Sequence, residues 1–384
     1  MIKKLIIPIL LILIIFSNSV ISTDTFKSLD NFYYILALGI DATENNNIKV
    51  TIQILETSGN SSKDSKELPI LYTSTGTTLI ECLNTLESSL NKQINLSHCS
   101  SIIFSDELLK TQGILKIIST LGNSTEIRNT SLILSCNKTS SEFLKNISNS
   151  NENFTANTYE KFINSSYDIG YTSICNFGKL FSSCKKDNTS TLIPFINQIN
   201  NTSSNAKTYK LDGCIIIKNG QYINNISSYE TLYLNLLNNT LKSGSINIKS
   251  PFNSNEFIDL TLIPYKKTKI KTHLINNSPF VEITIYPEFI IQASGTHYDY
   301  LSEKNVNMLK SSLYSFLKSE ITKTCNKITH ELNTDLLNLN DLYKSKFLTL
   351  DEFNKLNFKS IYQKTFYSLE IQPHIISSNL FNKQ

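Results

Sequence analysis

The chain has 384 residues, 40% of them hydrophobic, and a formal net charge of +4. This length and apolar content suffice for two or three domains with buried cores, which excludes an intrinsically disordered chain. Basic residues are spread along the sequence without a block of like charge or an alternation of basic and aromatic residues. That distribution argues against nucleic acid as a partner.

The first 22 residues have the pattern of a secretory signal peptide. Lys3 and Lys4 precede an apolar run over residues 5–16, and residues 17–22 supply mostly small side chains at the place of cleavage. The apolar run is shorter than the roughly 20 residues that cross a bilayer comfortably. We therefore predict a signal peptide or N-terminal membrane segment over residues 1–22, and an exported protein.

The segments that follow predict an antiparallel β-hairpin and a helix. Residues 33–41 form a mostly apolar run, and residues 47–56 alternate apolar and polar side chains, as strands do. A polar loop is predicted over residues 58–67. Thr78 and Glu81 then have the spacing of a capping box at the start of an amphipathic helix.

The stretch over residues 94–136 predicts a strand, a helix and a second strand. The apolar runs at 102–104 and 132–134 suit buried strands, and Asp106 is a candidate N-cap for a helix over residues 107–118. A crossover of this length implies two parallel strands with a right-handed connection.

Arg128 lies at the start of the second of these strands and is the only arginine in the chain. Glu126 lies two residues earlier, so the first interpretation is a structural ion pair between the two side chains at the strand entrance. Recognition of a ligand or partner by the arginine is the alternative. Lone acidic residues, including Asp41, Asp106 and Glu126, are interpreted as strand-end caps and ion-pair partners.

Residues 139–207 carry weaker patterns. Short helices are predicted at 141–147 and 158–163, and a strand at 191–195 that returns to the first sheet. The polar residues 201–206 predict a linker.

A second domain is predicted to begin near Tyr209. Asn219 and Gly220 form a tight-turn pair between two short strands. Ser227 and Glu230 form a second capping box that opens a helix.

The longest helix is predicted over residues 303–332, because apolar side chains recur along one stripe that suits packing against a sheet. The other strands and helices of this half are predicted over residues 213–217, 221–223, 245–248, 258–264, 269–275, 281–286, 350–362 and 366–376. These elements predict an α/β (α+β) protein with mixed sheets and packed helices, in two domains over residues 23–207 and 208–384.

No catalytic or cofactor-binding motif is found in the sequence. It has no GxSxG elbow, no phosphate-binding GxxxxGK[ST] loop and no GxGxxG. His330 and Glu331 begin like the HExxH motif of zinc proteases, but Thr334 occupies the place of the second histidine. We therefore predict a protein that is not an enzyme and that has no cofactor.

The seven cysteines are scattered and contain no CxxC pair. We predict buried free thiols, although an exported protein could oxidise some of them, and Cys175 with Cys184 is the nearest pair. His98 and Cys99 are adjacent, but neighbouring side chains diverge in a strand, so no metal site is predicted.

Several short motifs occur in an order that resembles the Ger(x)C family, the C subunits of spore germinant receptors in endospore-forming bacteria. In the first half these are the N-terminal signal, Leu38-Gly39-Ile40-Asp41, the strand over residues 50–55, the segment 98–113 and Glu126-Ile127-Arg128-Asn129. In the second half they are residues 213–217 with the Asn219-Gly220 turn, Glu230-Thr231, the long helix, Asp335 and the closing residues 366–376.

The resemblance implies a non-enzymatic subunit at the outer face of the inner spore membrane. It would act in nutrient sensing with an integral-membrane A subunit and a transporter-like B subunit. It also implies structural or docking roles for Arg128, Glu126 and His98, with Asp41 as a further candidate. The remaining alternative is an exported soluble binding protein for a small nutrient, with a ligand cleft between its two domains.

One feature departs from the family pattern. Its members usually carry a cysteine for lipid attachment directly after the signal, but residues 17–24 contain none, and the first cysteine is Cys82. We therefore expect attachment through an uncleaved signal helix or through partner subunits, or else a soluble protein.

Overall fold

The structure is a computed structural model that describes residues 31–55, 69–123, 126–150, 158–186, 189–200, 207–253, 255–294 and 302–376. The predicted signal peptide, the polar loop at 58–67 and the linker at 201–206 lie outside these residues.

A mixed nine-stranded sheet forms the first half of the molecule. Its order is β3-β2-β1-β5-β6-β7-β8-β9, and the short β4 also pairs with β1. The strands are β1 (Phe32–Ala42), β2 (Ile48–Leu55), β3 (Pro69–Gly76), β4 (Gln93–Asn95), β5 (Ser101–Ser105), β6 (Leu132–Cys136), β7 (Ser190–Asn200), β8 (Lys207–Lys218) and β9 (Gln221–Ile226).

Helices cover both faces of this sheet. They are α1 (Leu79–Leu90), α2 (Asp106–Thr111), α3 (Leu115–Asn123), α4 (Ser140–Ser150), α5 (Thr158–Tyr167) and α6 (Phe177–Lys185). The apolar sides of α1, α2, α3 and α6 pack on one face. Those of α4 and α5 pack on the other. The central strands are therefore buried on both sides, which explains their continuous apolar runs.

The predicted crossover is confirmed, with one correction to its helix. β5 and β6 are parallel neighbours. The N-cap is Ser105 rather than Asp106, and the Ser105 side chain accepts a hydrogen bond from the Leu108 N–H. The single helix predicted over residues 107–118 is wrong, because the chain leaves the helix at Gly113, whose φ is +69°, and restarts as α3.

The predicted hairpin of β1 and β2 is confirmed as antiparallel. Thr78 caps α1 by accepting from the Glu81 N–H, but the Glu81 carboxylate accepts from the Thr77 N–H instead of closing the box on Thr78. The strands β3 and β4 and the helix α6 were not predicted from the sequence.

A five-stranded sheet with order β10-β11-β12-β13 forms the second half, and β14 also pairs with β12. Its strands are β10 (Gly244–Lys249), β11 (Phe257–Ile275), β12 (Ser278–Ser294), β13 (Phe366–Ile371) and β14 (His374–Ile376). The helices are α7 (Ser228–Leu237), α8 (Glu303–Asn326), α9 (Leu339–Lys344), α10 (Leu350–Lys355) and α11 (Phe358–Ile361).

The capping box at Ser227 and Glu230 is complete. Four predicted boundaries in this half are corrected. The two strands predicted at 258–264 and 269–275 are one bulged strand, β11. The long helix ends at Asn326 and continues as a π-helical turn over Lys327–Glu331. The helical region at 350–362 is divided into α10 and α11, and the strand predicted at 366–376 is interrupted between β13 and β14.

The predicted domain boundary falls between two hydrogen-bonded strands. β7 and β8 pair along their length, from Ser190 opposite Lys218 to Asn200 opposite Lys207. β8 and β9 therefore complete the first sheet, although they follow the predicted boundary at residues 207 and 208. Division of the chain at that point remains a prediction.

Candidate docking edge of the first sheet

Three of the four candidate residues lie where the parallel strands of the first sheet begin. β4 and β5 run parallel to β1, and β6 runs parallel to β5, so their first residues meet at one edge. His98 precedes β5, and Glu126 and Arg128 precede β6. We call this edge, with Tyr33, Tyr34, His98, Glu126 and Arg128, the entrance edge.

Backbone hydrogen bonds hold together the two loops that carry these residues. The Ser100 N–H donates to the Leu36 carbonyl at 2.8 Å, and the Leu132 N–H donates to the Ser100 carbonyl at 2.8 Å. The Ser131 hydroxyl donates to the Cys99 carbonyl at 2.6 Å. The loop of His98 and the loop of Arg128 are thus fixed on neighbouring strands, so their side chains are presented as one surface.

Aromatic and basic side chains cover the entrance edge. The His98 ring stands edge-on to the Tyr34 ring, with 4.8 Å between centroids, and is exposed. The Lys92 ammonium lies 4.6 Å from the centroid of the half-exposed Tyr33 ring. These contacts give the entrance edge a surface of aromatic rings with polar and basic groups at their sides.

Glu126 and Arg128 have different environments. A Glu126 carboxylate oxygen accepts from the Leu96 N–H at 3.2 Å, which ties the two loops together. The Arg128 side chain is exposed, and its backbone carbonyl accepts from the Ser131 N–H. Across the described ranges, no ion pair joins Glu126 to Arg128. An exposed guanidinium at a fixed loop suits recognition of a partner.

Asp41 belongs to the opposite edge. It lies at the far end of β1 from Tyr34, roughly 20 Å away by the rise of a strand. Its side chain is 2% exposed and accepts hydrogen bonds from the Ser140 N–H at 2.5 Å and the Ser141 N–H at 3.1 Å. Asp41 therefore caps α4 from a strand end, as interpreted from the sequence, and takes no part in the entrance edge.

A polar joint connects the two halves and was not predicted as a site, since Asp335 entered only through the family resemblance. Buried Asp335 accepts from the Leu339 and Asn340 N–H groups, both at 2.8 Å, and burial raises the pKa of its carboxyl. Lys218, from the first sheet, donates to the Asn333 carbonyl at 2.6 Å, and burial lowers the pKa of its ammonium. Lys218 is 115 residues from Asn333 in the sequence, so no spacing signal could group it with Asp335.

The cavity at this joint is small. It has a volume of about 20 Å³ and is lined by residues of both halves, among them Lys218, Asp335 and Tyr362. That space suits a single water molecule. A larger cleft of about 610 Å³ lies on the first half alone, between α1, the α2–α3 break and the turn before β9.

Reactive groups are scarce in the parts of the chain that the structure describes. No cluster there has three or more histidine, cysteine, aspartate or glutamate side chains that could hold a metal ion. All seven thiols are free, and six are buried. Burial raises the pKa of the Cys99 and Cys175 thiols to about 12, so these thiols are protonated at neutral pH and poorly nucleophilic.

Within the described ranges, every helix is too short or too polar to cross a membrane.

Two family models match the chain in succession. Residues 26–198 match the spore germination protein N-terminal domain. Residues 212–379 match the spore germination B3/GerAC-like C-terminal domain. These define the class: a spore germination protein with both domains in order. The chain belongs to the Ger(x)C family.

Two relatives agree with this assignment. Spore germination protein KC of Bacillus subtilis (strain 168) is 19% identical over 322 residues, which cover 79% of this chain and 78% of that protein. The crystal structure of the GerBC protein aligns with a TM-score of 0.57 and 19% identity, over 88% of this chain and 96% of that one. The fold is therefore that of the GerBC protein.

Proposed function

We propose that the chain is the C subunit of a nutrient germinant receptor and acts without catalysis. It works at the outer face of the inner spore membrane, beside the A and B membrane subunits. Through these contacts it couples germinant binding to the release of ions and dipicolinate.

Family membership is the observation that carries this proposal, because both germination domains match in their usual order. The entrance edge adds a docking surface to it. Arg128 and His98 are exposed there on loops fixed to neighbouring strands, and β1 begins at the same edge. The first described strand therefore starts beside these side chains.

The alternative of a nutrient-binding protein has less support. It requires a ligand cleft between two separate units of the chain, but the joint between the first and the second sheet has room for one water molecule. Measured affinity of the isolated chain for a small nutrient would favour it.

The role in germination is tested with spores that lack the chain. Loss of refractility and dipicolinate release are followed across a panel of amino acids and salts. We expect one nutrient response to disappear and to return on complementation. Survival of every response, in a strain without a second copy of the family, would refute the receptor proposal.

The docking role of the entrance edge is tested by Arg128→Ala, scored by co-purification of the A and B subunits. The matched control is Lys161→Ala, which removes an exposed cation from α5 of the same half. We expect the first change to reduce co-purification and the second to leave it intact. If Arg128→Ala folds and assembles like the unaltered chain, the docking role is wrong.

A further inference from the structure

Among the described residues, helices pack on one face of the second sheet and none packs on the other. In β12, Val281 and Ile283 point into the core that α7 and α8 cover. The alternate side chains Glu282, Thr284 and Tyr286 point the other way and are exposed or half-exposed. We call this the open face of the second sheet.

Tyrosine and lysine side chains meet near the middle of the open face. The Lys266 ammonium lies 5.0 Å from the centroid of the Tyr265 ring and 5.7 Å from that of the Tyr286 ring. The Lys269 ammonium lies 5.8 Å from the Tyr286 centroid. Lys267 lies between these two lysines in the sequence and is exposed. Tyr265, Lys266, Lys267, Lys269 and Tyr286 form the tyrosine–lysine patch.

A β-bulge brings two of these lysines to the same face. Lys266 is opposite Tyr286, whereas Lys269 is opposite Thr284, so β11 advances three residues while β12 advances two. In a regular strand, residues 266 and 269 would point to opposite faces. The bulge instead turns Thr268 into the core, where its hydroxyl donates to the Leu236 carbonyl at 2.8 Å. Sequence alternation therefore gave no sign of the patch.

Acidic side chains of the open face lie at the borders of the patch. Glu282 is opposite Lys271 and pairs with His273 at 3.4 Å. Glu288 lies on β12 beyond Tyr286, and Glu370 lies on β13. Among the described residues, Lys266, Lys267 and Lys269 form no ion pair with a carboxylate. The centre of the face therefore carries a local excess of positive charge.

We propose that the tyrosine–lysine patch binds the surface of a membrane that contains anionic lipids. Lysines are attracted to anionic headgroups, and tyrosine rings favour the membrane–water interface. The patch lies on a sheet face, and the cavities described above are lined by other residues. A sheet face that carries lysines beside tyrosine rings suits the planar surface of an anionic membrane. This inference does not depend on the receptor assignment.

Vesicle binding tests the proposal with the full chain. The chain has no tryptophan, so Tyr265→Trp supplies a single fluorescent reporter within the patch. Vesicles of phosphatidylglycerol and phosphatidylcholine in equal amounts are compared with vesicles of phosphatidylcholine alone. The neutral vesicles measure the contribution of the apolar N-terminal segment, which is the same in every variant.

The decisive variant is Lys266→Gln/Lys267→Gln/Lys269→Gln. A surface lysine contributes roughly fivefold to partitioning onto an anionic membrane, so we expect a loss of roughly 100-fold on anionic vesicles and none on neutral ones. The matched control, Lys304→Gln/Lys318→Gln/Lys323→Gln, removes the same charge from exposed positions of α8, which covers the other face. It should retain binding.

Support also requires that the tryptophan emission of the Tyr265→Trp variant shift to shorter wavelength on anionic vesicles and that added salt reverse the shift. Equal binding by both triple variants would overturn the proposal, as would binding without an emission shift. Binding of the chain to polyglutamate but not to anionic vesicles would also overturn it, and would assign the patch to an acidic protein partner.

Discussion

Removal of the Asp41 side chain should destabilise the first half of the molecule. The Asp41 carboxylate is buried and accepts from two N–H groups in the first turn of α4, those of Ser140 and Ser141. Thr139 accepts from the next N–H group, that of Glu142. Asp41→Ala would therefore leave the N–H groups of Ser140 and Ser141 without their acceptor, while the Glu142 N–H group keeps the Thr139 hydroxyl.

The magnitude follows from these two donors. A buried polar group that loses its partner costs about 1–3 kcal/mol, and loss of a helix N-cap costs about 0.5–2 kcal/mol. Because water can reach part of the helix end, we expect Asp41→Ala to lower the free energy of unfolding by about 2–4 kcal/mol. Asp41→Asn keeps one acceptor oxygen and should lose about half as much.

Urea denaturation of each variant, followed by circular dichroism, measures the effect. The control is Asp106→Ala, at the end of the neighbouring strand β5. Asp106 pairs with Lys110 on the helix surface, and Ser105 already caps that helix, so we expect a loss below about 1 kcal/mol. Equal losses for the two alanine variants would refute the reasoning that Asp41 is the cap of α4.

Three further substitutions test other parts of the fold. Tyr159→Phe removes the buried hydrogen bond, 2.6 Å long, that the Tyr159 hydroxyl donates to Oε1 of the Gln53 side chain. Urea denaturation should show a loss of about 1–3 kcal/mol in the free energy of unfolding. Burial raises the pKa of Glu230, but hydrogen bonds from Lys327 and from the helix cap outweigh it and hold that pKa below 4.5. The folded carboxylate thus binds protons less readily than the unfolded one. The stability that it contributes is therefore present above pH 4.5 and lost as the pH falls below 4.5. Glu230→Gln should make the free energy of unfolding, measured at a series of pH values, fall less steeply in this range. Gly213 has a φ of +75°, and an added Cβ would lie 2.0 Å from a backbone carbonyl oxygen of β9. Gly213→Ala should therefore lower the free energy of unfolding by more than about 2 kcal/mol or prevent folding. Soluble yield and thermal denaturation measure the effect.

Strands and turns that are marked by the side chains of a few neighbouring residues were predicted from the sequence. The alternation in β2, the apolar run of β5 and the turn at Asn219 and Gly220 needed no knowledge of the tertiary structure. β3 was missed because polar residues occupy much of an edge strand that is buried only in part. The continuous helix predicted over residues 107–118 failed at Gly113, because a glycine inside an apolar pattern is compatible with a helix as well as with its end.

The candidate site was only partly predictable for a similar reason. Arg128 was notable from the sequence as the only arginine, and the parallel order of β1, β5 and β6 explains why His98 lies at the same edge. The aromatic surroundings of these residues come from β1, about 60 or more positions earlier in the chain, and depend on strand pairing. Asp41 likewise finds its partners 99 and 100 residues away, at a distance where local patterns give no information.

The pairing of β7 with β8 limits where the chain can be divided into fragments that fold. A fragment that stopped at residue 207 would end in a strand with an unpaired row of backbone donors and acceptors, which favours aggregation. A fragment that began at residue 208 would carry two strands without the sheet they complete. Exchange of halves between paralogues should therefore succeed only when the crossover point follows β9, so that the hairpin of β8 and β9 travels with the first half.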